Sequence, residues 1–222
     1  MEDLIPMSEE HSAKEASHNL SDRFRGYLPI VVDIETGGFN ASTDAMLEIA
    51  ATLIEMDDDG KIYCGETFSY HVKPFEGSNI DAAALEFTGI DPYHPLRPSQ
   101  DEKVVLGDLF SRIREAKKRL GCKRAIMVAH NATFDMGFLN AAIERCEIKR
   151  NPFHPFSSFD TATLAGLAVG QTVLARACYC CGIEFDNEDA HSASYDTQKT
   201  AELFCHIVNR WQSLGGWPPE NS

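Results

Sequence analysis

Ile30, Val31 and Val32 run apolar up to Asp33, Ile34 and Glu35, with Pro29 in front and Gly37-Gly38 behind. That pattern predicts a buried strand over residues 28–35 that ends in a turn. The next apolar-rich stretch, Met46 to Met56, carries β-branched Ile49, Thr52 and Ile54. It stops at Asp57-Asp58-Asp59-Gly60, a hairpin signal. Phe68, Tyr70 and Val72 alternate with polar neighbours and predict a third, antiparallel strand. Ile80 to Phe87 reads as a short helix stopped by Gly89 and Pro92. Leu106, Leu109, Ile113 and Leu120 recur at helical spacing and are closed by Gly121. Ala125 to Ala129 forms a short buried strand, after which His130 to Asp135 turn into a helix. Leu139, Ala142, Ile143 and Cys146 mark its inner face.

Further on, Ser158 to Leu167 is a strand end passing into a helix, with Asp160 or Thr161 placed to cap it. Val173, Leu174, Ala177 and Cys181 give another short helix. A last helix runs from about Ala193 to Trp211, with Leu203, Phe204, Ile207, Val208 and Trp211 inward. Three antiparallel strands followed by strands alternating with helices predict an α/β fold, a mixed β-sheet flanked by helices. Residues 1–20 carry few large apolar groups and read as a disordered tail, leaving 21–218 as a single domain.

The chain of 222 residues is long enough for one domain with a sizeable core. No stretch approaches the ~18 apolar residues of a membrane span, and the acidic, polar start is unlike a secretory signal. Seven cysteines without a spaced framework suit a reducing cytoplasm. Cys178 and Cys181 have the Cys-x-x-Cys spacing, but zinc needs a second pair and none follows. They read as structural thiols. A net charge of −14 argues against a nucleic-acid partner only if it is spread evenly. It is not: 11 of the 20 lysines and arginines fall between Lys103 and Arg150, and Arg23 and Arg25 precede the first strand. Local basic faces decide phosphate attraction, which fades within a Debye length of roughly 8 Å. Lys117 to Arg119 alone reads more simply as a solvated helix face.

Asp33 and Glu35 are two apart on a strand, so both carboxylates share one face. Two acids held that way repel and lose hydration, and a divalent cation between them relieves both costs. Asp135 stands at a helix start and Asp196 in the last helix, with His191 five residues before it. The order is Asp-x-Glu, then Asn-x-x-Phe-Asp, then His-x-x-x-x-Asp. Each piece alone is weak, and together they are specific. Hydrolysis of a phosphodiester needs an in-line hydroxide and neutralised phosphate charge, and two divalent ions ~3.5–4 Å apart supply both. Mg²⁺ prefers oxygen ligands, which is what these residues offer. The His191 imidazole titrates near neutrality and suits a general base.

This motif set resembles the DEDDh 3′→5′ exonucleases, which have a ribonuclease H-like fold. Asp22 to Gly26, Arg124 to Asn131, Lys149 to Phe156 and Leu214 to Pro218 are similar to the ribonuclease T-like branch of that family. The resemblance implies that Asp33, Glu35, Asp135 and Asp196 bind two Mg²⁺, with Mn²⁺ as an alternative, and that His191 is the general base. It implies a cytoplasmic homodimer that trims 3′ ends of structured RNAs such as tRNA and rRNA precursors. Single-stranded DNA 3′ ends would also be cut, with nucleoside 5′-monophosphates released. The family's aromatic wedges match Phe39, Phe87, Phe134 and Phe156, and stacking on a base contributes about 1–3 kcal/mol. Phe153 reads as core. A basic patch that holds RNA entering the partner's active site matches Arg23, Arg25, Arg124, Lys149 and Arg150.

The match departs at one point. Where the family can carry a Glu before the second wedge Phe, this chain has Ala83 and Ala84, with Glu86 next to Phe87. Two other readings compete: a proofreading or oligoribonuclease-type exonuclease on the same core, and a catalytically silent nucleic-acid-binding module. The aromatic set and basic groups favour the first reading over the second. Retention of every acid and of His191 counts against the third, because a silent module has no physical reason to crowd carboxylates.

Overall fold

A computed structural model describes residues 19–217. The expected disordered tail therefore lies outside the described residues up to position 18, as does Pro218. Leu20 is described, and it is buried in the main core rather than part of a loose tail.

Among the described residues six strands form one sheet: β1 (Tyr27–Thr36), β2 (Met46–Met56), β3 (Ile62–Lys73), β4 (Gln100–Asp101), β5 (Arg124–Ala129) and β6 (Phe153–Asp160). Their spatial order is β4-β3-β2-β1-β5-β6. β1 pairs antiparallel with β2, and β2 antiparallel with β3, matching the three antiparallel strands expected first. On its other side β1 pairs parallel with β5, and β5 with β6. The mixed sheet is the one expected. β1 thus sits at the centre, and its run Leu28, Ile30, Val31 and Val32 is fully buried. A strand buried on both faces has no polar side to show, which is why this one reads as continuous apolar sequence.

The α-helices among the described residues are α1 (Ala82–Thr88), α2 (Glu102–Arg119), α3 (Thr133–Arg145), α4 (Thr161–Val169), α5 (Leu174–Cys180) and α6 (Ala193–Ser213). α6 lies over β1, β2 and β3, with α4 and α5 packed on it, while α2 and α3 pack together against the sheet. The α2 stripe is as predicted, with Leu106, Leu109 and Ile113 buried. Asp160 is the α4 cap: its carboxylate accepts from the Ala162 N–H. Among the described residues no helix is long and apolar enough to cross a membrane, and all seven cysteines are free.

Three expectations need correction. β6 starts at Phe153, five residues before Ser158, because Pro155 is tolerated on an edge strand whose N–H side is unpaired. β4 was missed because two residues carry no periodicity. Trp211 does not point inward: it is 61% exposed, and its indole N–H donates to the Gly216 carbonyl. The core side of α6 ends earlier, with Leu203 and Phe204 fully buried and Val208 half-buried. Phe204→Ala is therefore expected to destabilise the fold by about 3–5 kcal/mol. Trp211→Ala should cost under about 1.5 kcal/mol. Urea denaturation of both variants checks the contrast.

Candidate active site

The site gathers at the end of β1, where alternation puts Asp33 and Glu35 on one face. The β1–β2 register slips between Glu35 and Thr36, and such bulges re-aim side chains beside functional clefts. Asp196 comes from the first turn of α6 and Asp135 from the first turn of α3. A carboxylate oxygen from each of Asp33, Glu35 and Asp196 lies within 4.8 Å of the others. Asp135 stands outside that trio but beside it, and its charge is the strongest of those acting on Asp33.

Burial and mutual repulsion set the electrostatics. Burial, then the charge of Asp135, pushes Asp33 well above the usual carboxylate range. Burial, then Asp196, Glu48 and Asp135, pushes Glu35 up to about 8. Burial raises Asp135 to about 8 against the opposing hydrogen bonds of its own N–H and that of Ile34. Asp196 is raised by burial too, although the His191 N–H donates to its Oδ2 at 3.1 Å and favours the anion. Its other oxygen, Oδ1, is buried with no hydrogen-bond partner among the described residues. An orphaned carboxylate oxygen beside two more acids, with no sulfur in the set, fits a hard divalent cation.

His191 adopts a left-handed backbone, φ 70°, just before α6. Its ring centroid lies 4.1 Å from that of Phe87. Beside the acids opens a pocket of about 530 Å³, lined by Glu35, Phe39, Ala83, Ala84, Phe87 and Phe134 among others. Phe39 is 89% and Phe87 66% exposed, far from the usual state of phenylalanine. Phe134 is half-buried and meets Phe39 edge-on at 6.3 Å. Phe156 is exposed on β6 and contacts the His154 ring, away from this pocket's lining. Phe153 is core, as expected, and packs edge-on against Phe110.

Of the basic residues, Arg25, Arg124, Lys149 and Arg150 are exposed. Arg23 is not, and this corrects the expectation. Its guanidinium is buried between the Phe24 and Trp217 rings and donates to Gln212 Oε1 and the Val208 carbonyl. Burial lowers it to about 10, so it remains a cation, but one spent on packing. Motif reading also missed several supports. His130 spans two elements, with Nε2 at 2.8 Å from the Thr172 carbonyl and Nδ1 at 3.0 Å from Thr161 Oγ1. Asp160 also accepts from the Asn131 N–H, which fixes the left-handed turn before α3. Glu48 faces Glu35 across the strands and is held by His71 at 2.8 Å. Their only sequence signal was position, directly after a strand or opposite a site residue.

The family described as an exonuclease, RNase_T, matches residues 30–204. Ribonuclease T of Shewanella sp. (strain W3-18-1) is 59% identical over 202 residues, 91% of each chain. The chain belongs to the ribonuclease T family. Ribonuclease T of Shewanella putrefaciens (strain CN-32 / ATCC BAA-453) is also 59% identical, over 91% of this chain and 90% of that one. Ribonuclease T membership makes the chain a hydrolytic exoribonuclease. Among solved structures, Escherichia coli exonuclease I in complex with a dT13 oligonucleotide superposes with a TM-score of 0.64 at 20% identity. The match covers 85% of this chain and 42% of that one, and shows the ribonuclease H-like fold.

The raised carboxyls predict a pH dependence of stability. Glu35 shifts from 4.5 to about 8 on folding, so the folded chain holds its proton more tightly. The stabilisation is fully present below pH 4.5 and is lost as pH rises through about 8. In EDTA, melting temperature should fall across that window, and Glu35→Gln should flatten the slope. A flat wild-type profile would contradict the crowding of these acids.

Proposed function

We propose that this chain is a 3′→5′ exoribonuclease that trims the 3′ ends of structured RNAs such as tRNA and rRNA precursors. It also acts on single-stranded DNA 3′ ends and works as a cytoplasmic homodimer. The observation that carries the reading is the acid trio beside a pocket that one of its members, Glu35, lines together with the exposed rings of Phe39 and Phe87. Acids alone would suit many metal sites. Rings beside them suit unpaired bases, because every base has a face to stack on.

Asp33, Glu35, Asp135 and Asp196 would hold two Mg²⁺, Mn²⁺ being an alternative, and the first, second and fourth of these are close enough to share an ion. Such ions, when bound, neutralise phosphate charge and make water a nucleophile at neutral pH. His191 takes the proton of the attacking water, and its N–H bond to Asp196 ties it to the acids. Phe39, Phe87 and Phe134 stack the terminal bases, with Phe156 farther along the strand. Ala83 and Ala84 line the pocket and bring no hydrogen-bonding side chain to it. Arg25, Arg124, Lys149 and Arg150 hold the RNA backbone that enters the partner's site, and Arg23 is left out of that set because it is buried. Stacking walls stop at paired bases, so digestion yields nucleoside 5′-monophosphates until a duplex is reached.

The test is product analysis on a tRNA-like hairpin with a 3′ overhang. Mononucleotides should appear only with Mg²⁺, and release should stop near the duplex. Asp33→Ala should lower the rate by at least about 10²-fold. Internal cleavage, or activity in EDTA, would overturn the reading. Arg25→Ala with Arg124→Ala should weaken binding of single-stranded RNA. The slope of log affinity against log salt should shrink by about 1.4, at ~0.7 per lost phosphate contact.

A further inference from the structure

The two aromatic walls of the pocket come from separate segments. Phe39 follows β1 in a tight loop, and Phe87 rides on α1. α1 has no fully buried side chain, Ala84, Leu85 and Thr88 being half-buried, so the main core does little to place it. What holds it is its N-terminal tie. The Asp81 N–H donates to the Gly37 carbonyl at 2.7 Å, and Asp81 then caps the helix through the Ala83 N–H. Just before it, the Asn79 N–H donates to Thr43 O at 2.8 Å and the Ala45 N–H to Asn79 O at 3.0 Å.

One side chain joins both segments. Asp44 is only 6% exposed. Its Oδ2 accepts from the Asn40 N–H at 2.9 Å. Its Oδ1 accepts from Thr43 Oγ1 at 2.7 Å and from Asn79 Nδ2 at 3.2 Å. The Phe39 N–H adds a further bond, and together these outweigh burial and hold the carboxyl below its usual range. Gly38 makes room for this: a Cβ there would lie 2.1 Å from Asp44 Oδ2. Gly38 is outside the left-handed region, so the requirement is space and not backbone shape.

We propose that Asp44 is a positioning residue that sets the separation of Phe39 and Phe87, and with it the capture of the terminal base. It touches neither the acids nor the reacting phosphate. This inference rests on the stacking role proposed above. A carboxylate suits the task because it accepts several hydrogen bonds at once from N–H and O–H groups on both segments.

The experiment uses a single-stranded oligonucleotide ending in 2-aminopurine, whose fluorescence falls when it stacks. Asp44→Ala should raise KM about tenfold, the equivalent of one lost base stack, with kcat within about threefold of wild type. Quenching of the terminal base on binding should fall in parallel. Gly38→Ala, which pushes the carboxylate out while keeping it, should give the same change. In the Asp44→Ala background it should add little, because the clash with the carboxylate is gone and only the residue 44 Cβ, at 3.3 Å, stays near. Asp44→Asn, of the same size, is the second variant if Asp44→Ala does not fold, and should shift KM in the same direction. Unchanged KM and quenching with a lowered melting temperature would overturn the proposal, as would full additivity of the two changes. If wild type quenches but releases no nucleotide, the nuclease reading fails while the quenching comparison still decides this one. If wild type does not quench, the stacking role falls and this inference with it.

Discussion

Bringing Asp33, Glu35 and Asp196 within 4.8 Å of one another costs free energy while no cation is present, because burial and repulsion both oppose the ionised forms. The rest of the fold supplies the rigidity that makes the cost bearable. β1 is clamped between β2 and β5, and its apolar residues are fully buried. The acids on it cannot drift apart to relieve their repulsion. The helices that bring Asp135 and Asp196 are fixed by the same core, through buried Leu139 and Phe138 on α3 and Phe204 on α6. Strain of this kind is stored by packing and released by a divalent ion.

Around that rigid centre the structure grades toward openness. His130 and Asp160 fasten the turn before α3 to α4 and its neighbouring loop. Farther out, Asp44 ties two loops together by hydrogen bonds in place of apolar packing. Exposed Phe39 and Phe87 form the outermost layer. Burial thus falls from the acids outward to the exposed aromatic rings, in keeping with how stability varies across folded domains.

How much of this was legible in sequence follows from range. β2 was found with its exact ends, Met46 and Met56, because an apolar run and an Asp-rich turn are local signals. That Asp33, Glu35 and Asp196 come within 4.8 Å of one another could be expected from spacing on a strand and position at a helix start, which are local too. Arg23 was misread because its partners, Val208, Gln212 and Trp217, lie nearly the whole chain away. Trp211 was misread because helical period cannot say where the sheet beneath a helix stops. Asp44 carried no motif at all, since its role lies in a contact with Asn79 that only the folded loops create. Phe39 was legible from its neighbours alone: a phenylalanine after two glycines has little core to reach, and it is exposed.

The absence of any buried side chain on α1 has one more consequence. Most substitutions along Ala82–Thr88 remove no core contact, so they leave the folded population almost unchanged. The exposed face of this short helix can therefore change without requiring any change in the core beneath it.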